Sequence, residues 1–195
     1  FQGSRGLGDV YKRQLVNRMY HTCEQKLREW DTSSRFEVFL MAQSIIGQEA
    51  PDFILQADDG SMYDSADLHG TWRVIFFYSR NNSPTCKRGC LTFKEQYELF
   101  KSSGCSIIGI GPGTYEKLKD FKSTIGDLPF PLLADVDRKV GQSYNIPLHL
   151  GKFPTKSSFV IGPDNKVHYV YDWLFRPRRH VANILADISK VSGDN

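Results

Sequence analysis

The chain reads as one α/β domain on a mixed, mostly parallel sheet, and three observations predict it. Short apolar runs rich in β-branched and aromatic residues alternate with stretches of helical periodicity, the pattern of strands joined by crossover helices. A turn signal, Gly162-Pro-Asp-Asn165, separates the last two extended runs and marks a closing hairpin. The 195 residues, 40% hydrophobic and 13% aromatic, supply one substantial core with a small appendage, and hardly two domains.

Residues 1–14 are set aside from the fold. Phe1-Gln-Gly-Ser4 looks like a protease-cleaved expression-tag remnant, and the next ten residues carry neither helical nor strand periodicity. From Leu15 to Trp30, the apolar Leu15, Met19, Tyr20, Cys23, Leu27 and Trp30 recur at spacings of three and four, which predicts an amphipathic helix. A shorter helical pattern, Phe36 to Ser44, follows the Asp31-Thr-Ser-Ser cluster. Residues 15–44 are therefore expected to form a helical extension, either packed on the main domain or serving as a dimer-forming or fraying appendage.

The main domain spans 45–192. Extended runs are expected at Phe53–Gln56, Arg73–Tyr78, Ser106–Ile110 and Ser158–Ile161, with Val167–Tyr171 completing the hairpin. Helices are expected at Thr85–Lys101, Tyr115–Thr124 and Pro177–Val191, the last opened by a proline suited to a first helical position. Alternation of this kind puts crossover helices on both faces of the sheet.

Composition removes several classes of function. The balance of 25 Lys and Arg against 22 Asp and Glu gives a net charge of +3, far from the basic stripe of a nucleic-acid binder. The longest apolar run, Val74–Tyr78, falls well short of the roughly 18 residues of a membrane span. Four cysteines without paired ligand spacing, and the scattered His21, His69, His149, His168 and His180, predict neither a disulfide scaffold nor a metal site. Reduced thiols in the cytoplasm or a reducing organelle lumen, and no cofactor, are expected.

The chemistry concentrates at Cys86. The buried-strand run Val74-Ile-Phe-Phe-Tyr78 empties into Ser79-Arg-Asn-Asn-Ser83-Pro84-Thr85-Cys86 just before a helical pattern, and strand carboxyl ends in α/β sheets are where ligands bind. Ser83 is a good N-cap and Pro84 a good first residue, which places Cys86 in the first turn, where unpaired N–H groups and the macrodipole favour an anion. Lys87 and Arg88 add positive charge, so the thiol should ionise below its reference value of about 8.5. A cysteine at a helix start is, on that feature alone, equally compatible with an inert structural thiol.

Context separates the two. Gly47-Gln-Glu-Ala-Pro-Asp-Phe53, the strand and loop above, Phe93, Gly109-Ile110, Pro129-Phe-Pro-Leu-Leu-Ala-Asp135, Ser158-Phe-Val-Ile161 and Phe175-Arg-Pro-Arg-Arg-His180 arrive in the order seen in peroxiredoxins. Over roughly 150 residues the chain resembles the Q type, also called bacterioferritin comigratory proteins. The resemblance implies a thioredoxin-like fold and a thiol-dependent peroxidase that reduces hydrogen peroxide or alkyl hydroperoxides. By it, Cys86 is the peroxidatic cysteine, converted to a sulfenic acid. Ser83 is the hydroxyl residue that orients thiolate and peroxide, besides its N-capping role. A thioredoxin-like or small-thiol reductant is the implied partner, and monomer and dimer both stay open.

Three departures from the family pattern stand out. The proline expected seven residues before the cysteine is Ser79, which alters the shield around the sulfur. Lys156 stands where the family has an arginine, keeping the charge but losing the forked donor set, with Arg80 or Arg88 as substitutes. The resolving cysteine usual five residues after the first is Leu91, and Cys90 comes one residue early. Cys90 either resolves the sulfenic acid after the first helical turns unwind, which the poor helix former Gly89 eases by about 1 kcal/mol relative to Ala, or is a small packed residue. Cys23 and Cys105 are expected to be core, and the run Arg176–His180 solvated surface. These departures leave an alternative open: a degenerate relative acting as a redox-sensing or protein-binding module.

Overall fold

The structure, a computed structural model, describes residues 42–81, 83–149, 153–172 and 177–192. All of them fall within one compact unit, Leu40–Asn195. The helical extension expected over 15–44 lies outside the described residues except for 42–44, and Cys23 lies outside with it.

The chain enters the sheet through β1 (Ile54–Ala57) and turns back at Gly60, whose φ of 91° suits glycine, into β2 (Met62–Asp64). β3 (Trp72–Phe77) follows, then β4 (Cys105–Pro112) and β5 (Leu132–Asp135). The short β6 (Leu148–His149) and β7 (Phe153–Pro154) pair only with each other, and β8 (Ser157–Ile161) and β9 (Val167–Asp172) form the expected hairpin. The seven-stranded sheet runs β2-β1-β5-β4-β3-β8-β9.

The sheet is mixed, but parallel pairing is its smaller part. Only β3–β4 and β4–β5 run parallel, while β1–β2, β1–β5, β3–β8 and β8–β9 are antiparallel. Tight turns at Gly60 and Asn165 leave their flanking strands no other choice, since a parallel pair needs a crossover of a dozen residues or more.

The described residues include α1 (Pro84–Glu95), α2 (Tyr97–Ser102), α3 (Tyr115–Ile125), α4 (Lys139–Ser143) and α5 (Pro177–Ser192). The single helix expected over Thr85–Lys101 is thus two. Gln96 leaves helical geometry at φ −106°, ψ 6°, one turn beyond Thr92, whose hydroxyl donates back to the Arg88 carbonyl at 2.8 Å. Such back-bonding bends helices.

Alternation along β3 feeds two cores. Val74, Phe76 and Tyr78 face Phe93 of α1, Leu118 and Phe121 of α3, and Val181, Ile184 and Ile188 of α5. Ile75 and Phe77 face Ala42, Ile45, Phe53, Val140 and Tyr144. Both crossovers, α1–α2 and α3, therefore cover the same face, rather than opposite faces as expected. The second face is closed by α4 and the segment leading into β1. The stacked pair Phe76 and Phe93, 4.5 Å apart, ties α1 to the middle of the sheet.

Buried Asp58 fastens the β1 end: it accepts the Leu132 N–H at 2.9 Å and pairs with Lys122 of α3. Buried Asp135 caps the short α4 by accepting the N–H groups of Val140 and Gly141 at 3.3 and 2.9 Å.

Tyr78 lies flat against β4, since a Cβ added at Gly111 would sit 2.0 Å from its Cζ. The Gly111→Ala protein should lose about 1–3 kcal/mol of stability, the usual cost of overpacking, read from its urea midpoint. An unchanged midpoint would show that the ring does not occupy that space.

Candidate functional site

Tyr78 continues the β3 pairing beyond its last strand residue by donating its N–H to the Ile110 carbonyl at 3.0 Å. The chain leaves the strand at Ser79. Ser83 is extended, φ −78° and ψ 127°, its carbonyl accepts the Lys87 N–H at 3.0 Å, and Pro84 opens α1. Cys86 is therefore the third residue of the helix, in the turn whose N–H groups lack intrahelical acceptors, as the sequence predicts.

The sulfur faces inward. Cys86 is 0% exposed and belongs to the core formed by Val74, Phe76, Tyr78, Cys90 and Phe93. Its Sγ lies 3.7 Å from the hydroxyl of half-buried Ser79.

Ser83 departs from its expected side-chain capping role, and Lys156 reaches the same helix start. The Ser83 side chain makes no capping bond, and its Oγ lies 2.8 Å from Thr85 Oγ1. Lys156, buried just before β8, donates from Nζ to that same Thr85 oxygen. Either hydroxyl can donate in the Ser83–Thr85 bond, because the Thr85 oxygen can accept from Lys156 and Ser83 together. The two predicted residues thus meet through Thr85 at the outer side of the helix start, while the sulfur's hydroxyl neighbour is Ser79. The alternative cations, Arg80 and Arg88, are exposed.

Cys90, one turn further along α1, is also fully buried. Burial first, and then neighbouring Cys86, push its thiol far above the ordinary range. Cys105 is core, as expected, and burial raises its thiol to about 12. Cys86, Cys90 and Cys105 are all free thiols. The Tyr78 hydroxyl is buried without a hydrogen-bond partner among the described residues, and burial, then Cys90 and Cys86, hold its ionisation well above the usual range.

The basic run before α5 is only partly the solvated surface expected. Arg178 and Arg179 are exposed, whereas His180 is buried with Nε2 2.9 Å from Ser158 Oγ. His180 shares the inward stripe of α5 with Val181, Ile184 and Ile188, and Arg176 lies outside the described residues. A cleft walled by Tyr78, Pro112, Asp135, Arg138, Leu148 and Pro154 opens at the same strand ends, and Cys86 is not among its walls.

Sequence reasoning missed Ser79 and Thr85 as polar partners. Ser79 was visible only as a missing proline, and the Thr85 link to Lys156 joins residues 71 positions apart, beyond any local pattern.

A mixed sheet whose inner strand hands a cysteine to a helix start belongs to the thioredoxin-like class of α/β proteins. The peroxidoxin BcpB of Mycobacterium tuberculosis superposes with a TM-score of 0.68 at 25% identity, over 75% of this chain and 97% of that one. A Xanthomonas campestris bacterioferritin comigratory protein, studied for alkyl peroxide reduction, gives 0.65 at 21% identity, over 72% and 92%, a likeness of fold. The AhpC/TSA family matches residues 46–170, and the chain belongs to that family. The chloroplastic peroxiredoxin Q of Arabidopsis thaliana is 30% identical over 155 residues, 79% of this chain and 71% of that protein. The Oryza sativa subsp. japonica peroxiredoxin Q is 32% identical over 140 residues, 71% of this chain; the match spans 64% of the rice protein, just under two thirds of it.

Burial should protect Cys90 and Cys105 from alkylation. With ionisation displaced upward, Cys90 and Cys105 stay protonated at pH 8, so iodoacetamide should leave both unlabelled in the native protein and label both in urea. Peptide mass spectrometry reads the result, and rapid native labelling of either would contradict the packing described.

Proposed function

We propose that this chain is a thiol-dependent peroxidase in which Cys86 is the peroxidatic residue. The observation that carries the reading is the placement of Cys86 Sγ in the first turn of α1, at the carboxyl end of β3, with a hydroxyl at hydrogen-bonding distance. Unpaired amides and the positive helix end favour a thiolate there.

The reaction balances simply. The Cys86 thiolate attacks the terminal oxygen of hydrogen peroxide or an alkyl hydroperoxide, the O–O bond breaks, and the departing alkoxide or hydroxide takes up a proton. Sulfur is oxidised by two electrons to the sulfenic acid as the peroxide is reduced to alcohol or water. Once the first turn of α1 opens, the Thr85-linked pair Ser83 and Lys156 on its outer side supplies a positive charge and two hydroxyls to the negative charge of the leaving oxygen.

Since Cys86 is fully covered in this conformation, peroxide reaches it when the first turn of α1 loosens. That opening also serves the next step. Residues four apart on a helix hold their Cβ atoms about 5–6 Å apart, while a disulfide needs about 3.5–4.5 Å, so Cys90 meets Cys86 only after unwinding. The Cys90 thiol then displaces water from the sulfenic acid to form a disulfide, and a thioredoxin-like or small-thiol reductant returns both thiols. The chloroplastic relatives support a reducing compartment. The degenerate-module reading is the weaker one, because both peroxiredoxin relatives and the cysteine's placement favour an active thiol.

A peroxide-consumption assay coupled to a thioredoxin system checks these roles. Cys86→Ser should fall to background, and Cys90→Ser should retain partial turnover. Peptide mapping after one equivalent of peroxide should recover a Cys86–Cys90 bridge; its absence would remove Cys90 from the cycle.

A further inference from the structure

We infer that Ser79, rather than Ser83, supplies the hydroxyl that holds the Cys86 sulfur. The inference deepens the peroxidase reading and rests on it for its effect on turnover.

Two contacts point the same way. Ser79 Oγ lies 3.7 Å from Cys86 Sγ, a hydrogen-bonding distance for sulfur, whereas Ser83 Oγ is turned 2.8 Å toward Thr85 Oγ1. While the thiol is neutral, either atom can donate. Once it ionises the sulfur has no hydrogen left, and the Ser79 O–H must be the donor. A hydrogen bond to the charged form favours that form, and with the sulfur fully buried water competes little for it. A proline at residue 79 could make no such bond, so the Ser79 departure from the family pattern adds a donor where Ser83 has been diverted.

The two serines also differ in what holds them. Ser79 directly follows Tyr78, whose N–H is anchored to Ile110 of β4, while Ser83 is the cap of α1 itself. When the first turn unwinds, Ser79 stays with the sheet and the sulfur leaves it. The bond therefore favours the wound, thiolate form and is released on the way to the disulfide.

The test needs no peroxide. Thiolate absorbance at 240 nm is followed against pH in the reduced protein, with the Cys86→Ser signal subtracted, for the parent and for Ser79→Ala, Ser79→Thr and Ser83→Ala. Ser79→Ala should move the Cys86 transition to higher pH by about one unit, the scale of one charge-assisted bond. Ser79→Thr, which keeps the hydroxyl, should restore it, and Ser83→Ala should move it less than Ser79→Ala does. Coincident Ser79→Ala and parent curves, or a larger shift in Ser83→Ala, would overturn the assignment. An inactive protein that still shows the Ser79 shift would count against the peroxidase reading alone.

Discussion

β3 is flanked on both sides, parallel to β4 over Trp72–Phe77 and antiparallel to β8 over Arg73–Phe77, and the rest of the structure follows from that constraint. A strand held this way cannot slide, because a shift of one residue would exchange the contents of the two cores. Phe76 stacks on Phe93 from one face while Phe77 packs on Tyr144 from the other, so strand and helix α1 are fixed relative to each other. The chain leaving β3 must therefore begin α1 over the strand's carboxyl end, and the first turn of that helix carries Cys86 to one defined place.

Burial and reactivity oppose each other there. Removing a thiol from water disfavours its charged form, as the upward displacement at Cys90 and at Cys105 shows. Cys86 shares their burial but not their surroundings: it lies in the turn with unpaired amides and within reach of the Ser79 hydroxyl. Ser83, Thr85 and Lys156 form a second polar group on the outer side of the same turn. The helix start is thus held from inside by a buried sulfur and from outside by a lysine.

The sequence made the main elements legible where the signal was local and strong. β3, β4, the closing hairpin and α1 announced themselves through long apolar runs, a turn signal and the Ser83-Pro84 cap. β2, β5, α4, β6 and β7 did not, being too short for any period to register; α4 depends on the distant-looking Asp135 carboxylate. The broken helix at Gln96 was hidden because its cause is one hydroxyl bonding backwards. At the site, Cys86 stands out because its helix start is built by its neighbours in sequence and because the motifs around it arrive in the peroxiredoxin order. The Thr85 link between Ser83 and Lys156 has no local signature, because it depends on a segment brought in by tertiary folding. His180 was read as surface for the same reason: a basic run disguised the one member on the helix's inward stripe.

Competition for limiting peroxide tests the central claim most directly. The reduced protein and a large excess of free cysteine share a substoichiometric pulse of hydrogen peroxide, and mass spectrometry reports where the oxidising equivalents went. If the helix start and its polar partners keep the Cys86 sulfur reactive, Cys86 will capture most of the peroxide despite its small share of the thiols. Oxidation divided in proportion to thiol concentration, with Cys86 no faster than free cysteine, would contradict the account.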